Sequence, residues 1–363
     1  MNMIRVFMIG YSPNKGGVEA YIRNVTETID PEKFQFVFRW PEMTIDGKKW
    51  VMPPNRHNPF KYISFWNRFF KENHFDVVYF NTCDIVSIDP MIFAKKAGVP
   101  VRIIHSHNAG NQMELGRKMS HSHRLMEEWN RKHIMTFATD LLACSDAAGQ
   151  WMFGEQKYTL IKNGIVLDKY HYQIRNREKC RKLVGVQNEV LIGCIGRLDP
   201  QKNPLFTLEI ARVLNLHNIK AKLIMIGDGE LRAELTEKIK ENSLEHKVQL
   251  IGAVDNVQEW LSALDCLVMP SHFEGLPFVL VEAQAAGLPC VVSSNVSREA
   301  DLTGLVHYMD LEAGASAWVD EILNVCGKVR PDTTQQMIQA GYSIEATAQK
   351  VEKIIEDRLH QRG

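Results

Sequence analysis

Three observations predict an α/β protein with parallel sheets. Short apolar, β-branched runs alternate with segments of helical periodicity from Ile4 to Tyr308. Polar and glycine-bearing stretches follow the apolar runs directly, where α/β sheets keep their ligand loops. The alternation runs through twice, before and after Ile165, and 363 residues suffice for two ordinary cores. Two Rossmann-like domains facing each other across a cleft are therefore expected, over residues 1–165 and 166–343.

Composition narrows the class. At 45% hydrophobic and 24% charged the chain is globular, and a formal net charge of zero argues against a nucleic-acid partner. Charge is unevenly spread: residues 1–165 hold 21 Lys and Arg against 16 Asp and Glu, the remainder 22 against 27. A basic first half suits an anionic lipid or phosphorylated acceptor. Seven scattered cysteines without a Cys-x-x-Cys suggest neither a disulfide framework nor zinc. Met3 to Gly10 is too short for a signal peptide, and no stretch has the length of a membrane span. A cytoplasmic protein is expected, with peripheral contact at the inner face of the plasma membrane left open.

In the first half, Ile4 to Ile9 reads as a buried strand, Gly10 to Gly17 as its loop and Val18 to Ile29 as a helix. Glycines between first strand and first helix occupy the phosphate-binding position of nucleotide domains, although Gly-x-Gly-x-x-Gly is absent. Phe34 to Arg39 is the second strand, and the polar, proline-bearing Pro41 to Pro59 reads as a long loop. Phe60 to Lys71 is basic, aromatic and helical in period. Its rings are core material, with an interfacial role left open by Lys61, Arg68 and Lys71. Asp76 to Phe80 is a third strand and Pro90 to Ala97 a helix. Val101 to Asn108 ends a strand with His105 and His107 at alternate positions, so both can face one side. No Cys or carboxylate stands at ligand spacing beside them, so no metal site is expected. Met119 to Thr136 is helical, with His121 and His123 on its surface. Leu141 to Ser145 and Ala147 to Phe153 form one more strand and helix, and Asn163-Gly164 stops the strand begun at Tyr158 as a turn pair.

The second half opens with the strand Val190 to Ile195 and a loop carrying Arg197 and Lys202. One loop can thereby set a planar fork and a point charge over a diphosphate. Lys222 to Ile226 and Val248 to Ile251 repeat the strand–loop–helix unit, and Leu305 to Tyr308 is the last strand. Between them, Asp265 to Pro270 is a strand stopped by proline, and a helix follows Pro277 until Gly287-Leu288-Pro289 ends it. The amides of Gly275, Leu276 and the first helical residues can hold a phosphate. Glu274 precedes that helix and Glu282 lies within it, seven residues between them. A ligand with phosphates on the helix start would meet one carboxylate on each side.

Glu274-x7-Glu282 with Gly275-Leu276-Pro277 resembles the donor-binding signature of family 4 glycosyltransferases, which are retaining, metal-independent enzymes of GT-B architecture. Gly16-Gly17-Val18-Glu19 and Gly196-Arg197-Leu198-x-x-Gln201-Lys202-Asn203 are similar to two further motifs of that family. The likeness covers nearly the whole chain, strongest over Leu191–Pro289 and weakest over Pro41–Asp76. It implies that Gly16 and Gly17 face the donor phosphates and acceptor, that His107 lies near the donor sugar, and that Asn163 lines the cleft. It further implies that backbone from Gly252 to Val254 meets the base, and that residues 344–363 cross back onto the first domain.

The activity so implied is transfer of a hexose, with retention, from a nucleoside diphosphate sugar (a UDP-sugar foremost) to a growing glycan. The setting is exopolysaccharide or capsule assembly, on a polyprenyl-pyrophosphate-linked acceptor. No cofactor is expected, and no Asp-x-Asp motif is present. Arg197 and Lys202 would meet the departing diphosphate, Glu274 and His107 the sugar. A nucleotide-sugar epimerase would need its own acid–base pair, and a glycan phosphorylase a longer chain with a pyridoxal lysine. A non-catalytic sugar-nucleotide-binding protein could dispense with Glu274 and His107. The base, sugar, acceptor and linkage stay open.

Overall fold

The computed structural model describes residues 3–12, 16–52, 58–108, 121–274 and 276–361. The chain divides into two compact units, residues 1–165 with 341–363, and residues 166–340.

Six strands form the parallel sheet of the first unit: β1 (Ile4–Ile9), β2 (Phe34–Phe38), β5 (Val77–Thr82), β6 (Val101–Ser106), β7 (Asp140–Ala143) and β8 (Thr159–Leu160). Their order is β2-β1-β5-β6-β7-β8. Apolar residues dominate these strands because helices cover both faces of such a sheet. The helices are α1 (Gly17–Thr28), α2 (Pro59–Glu72), α3 (Asp89–Lys96), α4 (His121–Phe137) and α5 (Asp146–Phe153). The chain leaves β1 to one side for β2 and returns on the other side as β5. That reversal is the switch point, and the loops after β1 and β5 flank it.

Pro41 to Pro59 departs from the expected loop. Residues Glu42–Ile45 (β3) and Lys48–Val51 (β4) pair as an antiparallel hairpin, while residues 53–57 lie outside the described set. Asp46 and Gly47 turn it with φ of 49° and 76°, the two left-handed positions a tight hairpin needs. Met43, Ile45 and Trp50 alternate inward, and the Trp50 ring meets Phe69 at 5.1 Å. The Asp-Gly pair between short alternating runs was the signal, hidden by the prolines on either side. Trp50 joins a core of Phe7, Trp66, Phe69, Phe70 and Phe75, with Tyr62 and Phe65 of α2 packed against it. Phe60 and Ile63 point out, Phe60 being 84% exposed.

The second unit repeats the plan with β9 (Val190–Ile195), β10 (Ala221–Ile226), β11 (Val248–Gly252), β12 (Cys266–Met269), β13 (Cys290–Ser293) and β14 (Val306–Met309). The order β11-β10-β9-β12-β13-β14 puts the switch point between β9 and β12. Its longer helices are α6 (Leu167–Tyr170) and α7 (Ile174–Leu183), then α8 (Pro204–Leu216), α9 (Arg232–Glu241), α10 (Val257–Ala263), α11 (Phe278–Ala285), α12 (Gly314–Val325) and α13 (Thr334–Gln339). Asp265 secures the two strands beside the switch. Its Oδ2 accepts from the Leu191 amide at 2.7 Å and from Arg181 at 3.0 Å, while Oδ1 accepts from Arg177 at 2.6 Å.

α14 (Ile344–His360) belongs to the first unit. Arg358 reaches Asp140 at 2.8 Å, and the Asp30 amide donates to Glu352 at 3.0 Å. Gly164 explains how the chain returns. Its backbone is not a left-handed turn; instead a Cβ there would overlap the Thr347 hydroxyl and crowd Ser343 and Ile344. The Asn-Gly pair therefore marks a close crossing, where Ile165 exchanges backbone hydrogen bonds with Tyr342 and Ile344 at 2.9 and 3.1 Å.

Candidate active site

In the second unit the loops after β9 and β12 are stitched together. The His272 amide donates to the Gln201 carbonyl at 2.9 Å, and the Gln201 side chain returns a bond to the Phe273 carbonyl at 3.2 Å. This places Lys202 against Glu274, and the two form an ion pair. Their side chains are only 18% and 9% exposed, so little water shares the pairing. Asp199 holds the same loop, accepting from the Lys202 amide at 3.0 Å. Its other oxygen lies 3.2 Å from Arg197, whose side chain stays 64% exposed. Lys202 and Arg197 thus share a loop but not an environment. On the far side, Val296 bridges the Glu274 backbone.

α11 starts at Phe278 with buried Pro277 just before it, and no side chain caps it. An uncapped helix start keeps its amides available to an anion. Leu276 is half-buried there, and Gly275 lies outside the described residues. One turn along, Glu282 accepts the Tyr170 hydroxyl at 2.6 Å. Tyr170 comes from α6, 112 positions away, and fixes the direction of that carboxylate. Val254 is half-buried just beyond β11.

In the first unit Gly16 and Gly17 are exposed at the head of α1. Asn163 is buried, and its Oδ1 has no hydrogen-bond partner. His105 and His107 do share a face, their ring centroids 4.1 Å apart. His105 is fully buried and its Nδ1 meets the Tyr79 hydroxyl at 3.0 Å, which in turn meets Tyr21 at 2.8 Å. His107, half-buried at the strand end, places Nε2 2.9 Å from Asn81 Oδ1.

Burial drives the pKa of His107 down to about 3 and that of His105 well below its ordinary value, the neighbouring His107 adding to the latter. Both are neutral in the folded chain at physiological pH, while the unfolded chain protonates them near 6.5. The unfolded state then binds more protons below that pH, so stability falls as pH drops from about 6.5 toward 3. The urea midpoint is expected to be lower at about pH 5 than at about pH 7, and His107→Gln should flatten that slope. An unchanged slope in the variant counts against a buried neutral ring.

Sequence reasoning missed Tyr170, Asn81, Tyr21 and Tyr79. Only Asn81 carried a signal, as a polar residue closing an apolar strand at the same level as the histidines. Among the described residues no group of three His, Cys, Asp or Glu could hold a metal ion, and no helix is long and apolar enough to cross a membrane.

Two doubly wound sheets, one with a cation–carboxylate pair at its switch point, define a protein of GT-B type, two Rossmann-like halves. Residues 189–328 match the family described as glycosyl transferases group 1. The chain belongs to that family: it is 31% identical to the Bacillus subtilis protein EpsF, named as a glycosyltransferase, over 94% of this chain and 93% of EpsF. It is also similar to the UDP-Gal:alpha-D-GlcNAc-diphosphoundecaprenol alpha-1,3-galactosyltransferase of Escherichia coli, at 27% identity over 80% of this chain and 77% of that enzyme. Among solved structures, HepE of Anabaena in complex with UDP and glucose matches with a TM-score of 0.72, covering 99% of each chain. At 17% identity that likeness establishes the fold.

Proposed function

We propose that the chain is a retaining, metal-independent hexosyltransferase of family 4. It moves a hexose from a nucleoside diphosphate sugar to a glycan on a polyprenyl pyrophosphate, in exopolysaccharide or capsule assembly. The observation that carries this reading is the Lys202–Glu274 pair at the β9/β12 switch point, beside the uncapped start of α11. Stabilisation of the departing diphosphate has groups of the right kind there. The bond from the anomeric carbon to the diphosphate breaks, and the departing oxygens gain negative charge. Lys202, Arg197 and the amides from Gly275 through Pro277's neighbours in α11 meet that charge. The acceptor oxygen bonds to the same carbon on the same face, and its proton passes to the diphosphate. Glu274 and His107 hold the sugar hydroxyls, Glu282 the ribose, and backbone near Val254 the base. Gly16 and Gly17 are assigned to the phosphates and acceptor, and Asn163 to the donor.

A UDP-sugar is the donor of choice in this reading. The Escherichia coli relative is named for UDP-Gal and the Anabaena structure contains UDP. The same relative's name carries a diphosphoundecaprenol acceptor, which supports a lipid-linked acceptor here. Exposed Phe60 and Ile63 on the basic helix α2 suit peripheral contact with the membrane that holds it.

Incubation with labelled UDP- and GDP-sugars and a polyprenyl-pyrophosphate glycan tests the reaction, scored as free nucleotide and extended product. Transfer is expected to persist in excess EDTA, because the protein's own cations take the place of a divalent ion. Complete loss, restored by magnesium or manganese, would place the enzyme in another class. Epimerised sugar without transfer would overturn the reaction itself.

A further inference from the structure

We propose that Asn81 is a positioning residue for His107: it holds the imidazole as the Nε2–H tautomer, leaving Nδ1 to accept from a sugar hydroxyl and to turn away a carboxylate. The inference rests on the reading of His107 as a contact of the transferred sugar.

The orientation of Asn81 decides the tautomer. Its Nδ2 donates to the Ile9 carbonyl at 3.3 Å and lies 3.0 Å from Met8 Sδ. The opposite side of the amide, Oδ1, therefore faces His107 Nε2 at 2.9 Å. An amide oxygen only accepts, so Nε2 must carry the hydrogen. Flipping the amide would turn its oxygen onto the Ile9 carbonyl, acceptor against acceptor. Gly10 permits this seating. With φ of +106° and no Cβ, it lets Asn81 lie against the end of β1; a methyl there would overlap the Asn81 carbonyl and crowd its Cβ at 2.9 Å.

His107 Nδ1 is then a bare acceptor, buried and without a hydrogen-bond partner. Among the described residues, the groups around the ring supply no donor to it. Tyr21 of α1 faces the ring at 4.9 Å, but its hydroxyl is engaged with Tyr79. His105, on the same strand, turns its Nδ1 to Tyr79 of β5. Glu19 of α1 is bonded to Ser12. Among the described residues no carboxylate bonds to the ring, and burial alone holds its pKa down to about 3. A neutral ring with one buried, unpartnered lone pair can accept from a hydroxyl seated against it. It offers a carboxylate neither a proton nor a charge. Neutral hexoses, rather than uronic acids, are the transferred sugars that fit.

Imidazole 15N spectra of histidine-labelled protein test the tautomer directly, with His107→Gln assigning the signal among the 13 histidines. Wild type is expected to show a protonated Nε2 and an unprotonated Nδ1 from about pH 6 to pH 8. Asn81→Asp keeps the size and supplies an anion while giving up the bond to the Ile9 carbonyl, and should turn His107 into an imidazolium near neutral pH and give turnover a new pH dependence. Asn81→Leu should mix the tautomers without adding charge. A proton on Nδ1 in wild type, or an unchanged His107 signal in Asn81→Asp, overturns the positioning role. Paired assays with a UDP-hexose and the matching UDP-uronate test the ligand half. Wild type should prefer the hexose, and Asn81→Asp should shift the ratio toward the uronate by about tenfold or more. Equal use of both by wild type overturns it. If neither donor nor its GDP counterpart reacts, the sugar-contact reading fails, while the spectra still judge Asn81.

Discussion

Lys202→Ala is expected to lower turnover about 10²- to 10³-fold, about 2.7–4 kcal/mol on the barrier, by analogy with removing one preorganised charge-stabilising donor. Two features make this the largest single loss. Lys202 is the sheltered cation of its loop, with a side chain 18% exposed. Charge placed where water is scarce acts through a lower effective dielectric than charge in solvent. Arg197 sits 64% exposed beside Asp199, so Arg197→Ala should cost less than Lys202→Ala. The lysine variant also strands the Glu274 carboxylate, 9% exposed, without its cation, and a lower melting temperature should accompany the loss of rate. Single-turnover rates on the donor, with circular dichroism as a check on folding, separate the two effects. Near-normal turnover in a folded Lys202→Ala protein removes Lys202 from the site.

What the sequence revealed, and what it hid, follows from the range of the interactions involved. Strands such as Val190 to Ile195 and Cys290 to Val292 were legible because burial on both faces leaves an unbroken apolar run. The loop motifs were legible because Lys202 and Glu274 each lie directly after such a strand. Their mutual ion pair was not: it depends on β9 and β12 being neighbours, a matter of strand order rather than of local pattern. Tyr170 was invisible for the same reason, since its partner lies on another element far along the chain. The β3–β4 hairpin was a different kind of miss. Its alternation of Met43 and Ile45 and its Asp46-Gly47 turn were present, but four-residue strands beside prolines give a weak signal. Asn163-Gly164 reads as a turn pair and the Gly164 amide does close on the Lys162 carbonyl at 2.9 Å; only the packing of α14 shows that the missing side chain matters too.

Glu282→Gln and Glu274→Gln are expected to fail in different ways, and the difference tests how the donor lies. Glu282 is held by Tyr170 one turn into α11, past the helix start we propose for the phosphates, and we propose it as the ribose carboxylate. Its amide variant keeps the shape and can still accept from Tyr170, but loses the charge in its bonds to the ribose. The loss should be about 1.5–3 kcal/mol, roughly 10- to 150-fold in affinity, and similar for free nucleoside diphosphate and intact donor. Tyr170→Phe leaves the charge but not its direction, and should cost less, about 0.5–1.5 kcal/mol. Glu274 lies before the helix and is bound to Lys202. Glu274→Gln releases that lysine, so diphosphate affinity should hold or rise slightly while turnover falls, because the sugar contact is realised only in the reacting complex. Calorimetry with the diphosphate and steady-state rates on the donor measure both. If Glu274→Gln weakens the diphosphate alone as much as Glu282→Gln does, the donor lies in the opposite direction along this helix.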